Sequence, residues 1–273
     1  MKTLFTLLLI SAFSMLYAQG DILNISKTGN GKQQVILISG LANKNEIWDQ
    51  TTDAFTKNKS TVYAIDYFND NDHKLITIHQ ISNQIKDWIK REKLKNVILI
   101  GHSLGGVIAL EVASIIPNTF KFLIIVDSYP SLSALSNPNF TVNQDNNCSP
   151  WVSKFTTMTD EEFKTFQSAN LAQMTNSSEG QKKLLNWAMN YDRNNYALLL
   201  CDYLNTDLRT KIESISCPAL VLSSVGVKPF EKNIADQYKS LKQCTIIQSE
   251  KGKHFLMLDD FDWYIKSIMN FIN

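Results

Sequence analysis

Neither charge dominates this chain. Of its 273 residues, 27 are Lys or Arg and 26 are Asp or Glu, a formal net charge of only +1. A chain so balanced lacks the basic footprint of a nucleic-acid binder and the positive face that seeks an anionic membrane. Missing as well are a basic stripe, a glycine-rich phosphate loop, Cys and His residues at zinc-binding spacing, and any internal repeat. Nothing therefore points to a nucleotide, a structural metal or a solenoid. A spanning segment is absent too: the apolar run from Leu4 to Leu16 falls short of the ~20 residues that cross a bilayer comfortably. What remains is a globular composition, 44% hydrophobic and 19% charged. A chain of this length can bury one large core, with room for a small insertion.

The N-terminal run follows Lys2 and gives way to polar residues from Gln19. A charged start, a short apolar centre and a small residue at Ala18 make the pattern of a secretory signal peptide. Residues 1–18 are accordingly expected to be removed on export to a periplasmic or extracellular space. Export permits disulfides among Cys148, Cys201, Cys217 and Cys244, and sequence cannot choose among the three full pairings. Cys217 and Cys244 each open a β-like run, so they are candidate neighbours; buried free thiols are the slightly favoured state.

From residue 33 onward, strand-like and helix-like stretches alternate. Apolar, β-branched runs at 34–39, 61–66, 97–100, 122–126, 219–223 and 245–248 read as strands. Residues 76–91 place Ile78, Ile81, Ile85, Trp88 and Ile89 on one helical stripe, and 261–272 reads as an amphipathic helix. Apolar strands alternating with helices imply a mostly parallel, doubly wound sheet, an α/β fold. Between residues 130 and 216 the alternation fails. Thr159 and Glu162 form a capping-box pattern that opens a helix running to Met174, and further helices are expected over 178–190 and 194–204. Inserted where strand ends emerge, such helices read as a lid. Their aromatic and Met content is expected to form the lid's own core and, in part, the wall of an apolar pocket.

The segment Gly101-His102-Ser103-Leu104-Gly105-Gly106 joins the strand at 97–100 to a helical pattern over 104–116. Strand, tight turn and helix are the context that a G-x-S-x-G nucleophile elbow requires. Glycines two residues either side of the serine make room for a strained turn that lifts its hydroxyl to the sheet edge. Three further segments appear in matching order. They are Ile36-Leu37-Ile38-Ser39-Gly40-Leu41 with Trp48, then Cys217-Pro218-Ala219-Leu220-Val221-Leu222, then His254-Phe255-Leu256-Met257-Leu258-Asp259-Asp260. Together these resemble the α/β-hydrolase superfamily over essentially the whole mature chain, although Ser39 stands where that family usually has histidine. The resemblance implies a core over residues 19–129 and 217–273 with a lid over 130–216.

It also implies a serine nucleophile, Ser103, and a histidine base that follows it in the chain. Of four histidines, His254 meets that order and returns to the sheet's C-terminal edge. His102, inside the elbow, reads as a packing residue pointing away, and His73 and His79 as solvated surface groups. The acid departs from the commonest pattern, because the expected position after the 219–223 strand falls near Gly226. Asp127, one strand earlier, is the candidate that can orient the imidazole; Glu231, or a water in place of an acid, stays open. Asp259 is expected to cap the last helix. The backbone N–H groups of Leu41 and Leu104 are placed to form an oxyanion hole.

The reading that follows is an exported serine hydrolase acting on an ester-like bond of a small-molecule substrate, with no metal and no cofactor implied. A cofactor-free haloperoxidase or acyltransferase on the same three residues is the enzymatic alternative. A non-catalytic binding protein with this fold is the other.

Overall fold

The computed structural model describes residues 22–67 and 76–273. The expected signal segment and His73 lie outside them. Seven strands, β1 (Asn24–Thr28), β2 (Gln33–Ile38), β3 (Ser60–Asp66), β4 (Val97–His102), β5 (Phe120–Val126), β6 (Ala219–Ser223) and β7 (Cys244–Gln248), form one sheet in the order β1-β3-β2-β4-β5-β6-β7. All neighbours are parallel except β1, which pairs antiparallel with β3. The chain runs outward from β2 to β3 and then returns to place β4 on β2's other side. The reversal opens a crevice between the C-terminal ends of β2 and β4, where open α/β sheets bind ligands.

Period-2 alternation divides the side chains between two cores. Ile36 and Ile38 of β2, with Val97 and Leu99 of β4, pack on α2 (Ile78–Arg91) and α3 (Leu104–Ile115). Val35, Leu37, Ile98 and Ile100 face α1 (Asp49–Lys57) and α11 (Phe261–Ile272). These strands are covered on both faces, which explains why they read as unbroken apolar runs. α2 starts where Thr77 and Gln80 close a capping box, and buries the predicted Ile-Trp stripe. Several elements escaped the sequence reading, the first strand and the first helix among them. β1 is an edge strand whose residues are largely exposed, and α1 buries only Thr51 and Phe55, so neither carries a full apolar period.

Five helices lie between β5 and β6: α4 (Ser133–Ser136), α5 (Ser149–Thr156), α6 (Asp160–Met174), α7 (Ser178–Met189) and α8 (Arg193–Asn205). The Thr159–Glu162 capping box opens α6 as expected. Phe155, Phe163 and Ala197 form a small core of their own, packed by Trp151, Phe166 and Tyr196. One expectation is corrected here. Cys148 and Cys201 are joined in a disulfide, and only Cys217 and Cys244 are free. The bonded pair is 53 residues apart in sequence but 5.8 Å between Cα atoms, because α5 packs against α8. Local pattern carries no trace of that approach. After β6, α9 (Glu231–Tyr238) precedes β7, and a short helix α10 (Leu256–Asp259) leads into α11. Among the described residues, no helix is long and apolar enough to cross a membrane.

Candidate active site

Ser103 stands between β4 and α3 with φ +54° and ψ −125°, a left-handed backbone that L-residues rarely adopt. Its N–H donates to the Val126 carbonyl at 3.1 Å, tying the turn to β5. The flanking glycines are obligatory for steric reasons. A Cβ on Gly101 would sit 2.2 Å from the Gly105 carbonyl oxygen, and one on Gly105 would sit 2.3 Å from that of Ile38. The strain is held by close backbone packing on both sides of the serine.

Asp127 follows β5 directly, also at positive φ (+43°), and is 4% exposed. Its Oδ2 receives the Nδ1–H of His254 at 2.6 Å. Its Oδ1 accepts from the Ser224 backbone N–H at 2.7 Å and from the Tyr129 hydroxyl at 2.9 Å. Burial alone would push this carboxyl up. The His254 hydrogen bond and charge, then the Ser224 and Tyr129 donors, outweigh it and hold the carboxyl below the usual range. Burial and the Asp127 charge push the Tyr129 phenol well up, so it stays an O–H donor. The loop after β6, where the commonest family pattern would carry the acid, instead supplies the Ser224 donor. Glu231 is exposed at the start of α9, and Gly226 is exposed as well. The structure therefore brings Asp127 to His254, and leaves Glu231 away from it.

Sequence reasoning missed how His254 is braced. His102 is fully buried, as expected of a packing residue, but its Nε2–H donates to the His254 carbonyl at 3.0 Å and its ring lies 4.6 Å from the His254 ring. Burial, reinforced by His254, pushes His102 down to about 3, so it stays neutral. Asp259 does not cap α11, whose N-cap position is Asp260 and carries no side-chain cap hydrogen bond. It accepts from the Thr175 hydroxyl (2.6 Å), the Asn176 N–H (2.9 Å) and the Lys253 N–H (3.0 Å). A carboxylate shared between the end of α6 and the histidine loop serves that junction better than a helix end. The Phe255 N–H adds a bond to the Met174 carbonyl at 3.2 Å. His79 is exposed as expected, though paired with the buried Glu111 at 2.9 Å.

The N–H groups of Leu41 and Leu104 have no hydrogen-bond acceptor among the described residues. Leu104 opens α3, where helix geometry leaves the first amides unpaired and the dipole favours negative charge. Ser103, Asp127 and His254 all border one cavity of about 310 Å³. Leu41 and Phe255 wall it from the sheet core, and Leu132, Leu135, Leu171, Leu184 and Leu200 from the inserted segment between β5 and β6. It is a mostly apolar chamber whose lining includes a serine hydroxyl, an imidazole and a carboxylate. Among the described residues, no cluster of three or more His, Cys, Asp or Glu could hold a metal ion.

Comparison with known proteins agrees with this architecture. A putative esterase/lipase of Mycoplasma genitalium is 28% identical over 118 residues, which are 41% of this chain and 42% of that protein. The match thus spans less than half of that relative's length. Among solved structures, a hydrolase from Oleispira antarctica superposes with TM-score 0.75 at 17% identity, covering 91% of this chain and 93% of that one. A bromoperoxidase from Bacillus anthracis does so with TM-score 0.76 at 16% identity, covering 92% and 95%. These two likenesses establish the fold. The family model described as alpha/beta hydrolase fold matches residues 34–199, well over half of the chain. The strained serine turn, the seven-stranded sheet and this match lead to one conclusion: the chain belongs to the α/β-hydrolase fold family.

Proposed function

We propose that the protein is a serine hydrolase that cleaves an ester-like bond of a small, mostly apolar substrate through an acyl-enzyme. One observation carries this reading: the hydrogen-bonded Asp127–His254 pair opens, together with Ser103, onto a single apolar cavity. With Nδ1–H committed to Asp127, the Nε2 lone pair of His254 is left to take the Ser103 proton. Ser103 Oγ then bonds to the substrate carbonyl carbon, whose oxygen becomes an oxyanion facing the Leu41 and Leu104 amides. Collapse breaks the bond to the leaving alcohol, which takes the proton from His254. Water, deprotonated by the same His254, attacks the acyl carbon, and Ser103 departs with its proton restored. Asp127 stays ionised throughout and stabilises the imidazolium. No step of this scheme requires a metal or cofactor.

The helices between β5 and β6 act in this scheme as a lid that sets substrate choice. The chain works in an oxidising compartment, a reading supported by the Cys148–Cys201 disulfide together with the N-terminal signal pattern. A fluorophosphonate probe tests the core of the proposal. Wild-type protein labels and Ser103→Ala does not; folded wild type that refuses the probe overturns the hydrolase reading in favour of a binding protein.

A further inference from the structure

The loop after β2 carries a polar side chain that the fold itself does not use. Residues 40–43 form a tight turn, closed by the Asn43 N–H donating to the Gly40 carbonyl at 3.2 Å. Within it Ala42 takes φ +55°, a left-handed backbone that glycine adopts more readily. A strained turn persists only where its surroundings fix it, and such turns cluster at functional sites. This one brings Asn43 back beside the serine. A Cβ built on Gly40 would meet Asn43 Nδ2 at 2.9 Å and Ser103 Cβ at 3.2 Å, so the amide and the nucleophile lie against the same face of one glycine. Asn43 is 7% exposed and borders the cavity with Leu41 and Ser103. Its side-chain amide makes no hydrogen bond to the described residues, yet it is not sealed from water. His102 Nδ1, the other polar atom near Gly40, is sealed and also makes none. An open, unmatched amide in a mostly apolar wall is a donor available to a ligand.

Its position narrows which ligand atom that is. In the hydrolase scheme the leaving oxygen must face His254, which protonates it, while the carbonyl oxygen turns toward the β2 loop and the Leu41 amide. Asn43 stands two residues past Leu41 on that loop. We propose that Asn43 is a further catalytic residue: its side-chain N–H donates, with the Leu41 and Leu104 backbone amides, to the substrate oxygen that becomes the oxyanion. The inference rests on the hydrolase reading above and deepens it. Such a bond strengthens as charge builds on the oxygen, so it lowers the barrier more than it aids binding.

Kinetics of Asn43→Ala and Asn43→Leu on p-nitrophenyl esters of several acyl lengths test this. In both variants kcat falls about a hundredfold and KM moves by less than about threefold, equally for every acyl length. The affinity of a trifluoromethyl ketone, whose adduct with Ser103 carries the same oxyanion, falls by the same factor as kcat/KM. The fluorophosphonate probe still labels both variants, but more slowly. Melting temperature and the pH midpoint of kcat/KM stay at their wild-type values, since the amide holds nothing in the free protein. An unchanged kcat overturns the inference while leaving the hydrolase intact. A loss confined to one acyl length overturns it by moving Asn43 from the reacting oxygen to the acyl chain. A shifted pH midpoint, or a marked loss of melting temperature in both variants, overturns it by making the amide a brace that acts through His102. Failure of wild type to turn over any ester or to take the probe removes the hydrolase reading itself, and this inference with it.

Discussion

The sheet edge and the inserted helices solve opposite problems. At the edge, every carboxylate oxygen of Asp127 is occupied, by His254, Ser224 and Tyr129, and the His254 carbonyl is held by His102. The strands behind it are sealed between two apolar cores. The inserted helices have a small aromatic core, one disulfide and a few polar ties to the histidine loop. In the proposed mechanism the groups that move protons must be held to a fraction of an ångström, which accounts for redundant supports. In the proposed scheme the wall only has to accept a substrate, and it can be held more loosely.

The comparison breaks most sharply at Asp127. Asp127→Asn keeps the shape but cannot hold His254 in the required tautomer, so kcat on a chromogenic ester falls by about 10⁴. Glu231→Gln leaves kcat unchanged; the reverse pattern in the same assay moves the acid to α9. The substitution also reads out in acid. Asp127 titrates lower in the folded chain than when unfolded, so below its unfolded pKa near 3.9 the unfolded state binds the more protons. Its contribution to stability is complete above about pH 4 and is lost as pH falls through the lower folded value. Urea melts across pH 2–5 therefore show a shallower acid limb in Asp127→Asn.

Reducing the Cys148–Cys201 bond tests the other region. With 53 residues of separation, the chain-entropy model assigns the cross-link about 4 kcal/mol. Limited proteolysis after reduction is expected to cut first within residues 130–216, while fragments carrying β2 to β5 persist. Simultaneous loss of both regions would show one cooperative unit. A smaller effect lies at their junction. Asp259→Ala removes two hydrogen bonds from the end of α6 and one within the histidine loop, costing about 1–3 kcal/mol in a denaturant melt, with kcat falling more than KM changes. Smallest of all is Leu41→Ala. The donor at that position is backbone, so kcat changes by less than about twofold; a hundredfold loss would mean the side chain shapes the oxyanion site.

Much of this was legible in the chain. The strands at 219–223 and the helix at 261–272 appear at the residues read from pattern, because burial on two faces or one stripe imposes a period. The Gly101–Gly106 turn was equally readable, since only glycine tolerates the contacts found at Gly101 and Gly105. β1 and α1 were not, lacking a buried period. Asp259 was misread as a helix cap because the local signal of an aspartate before a helix outweighs a partner 84 residues away.

The sequence by itself determined the parallel sheet, the serine turn and the order in which Ser103, Asp127 and His254 arrive, because these follow from periodicity and local sterics. Only the tertiary structure decided that Asp127 rather than Glu231 meets His254, that His102 and Asp259 brace that histidine, and that Cys148 pairs with Cys201. Each follows from how distant elements pack, and no local pattern records it.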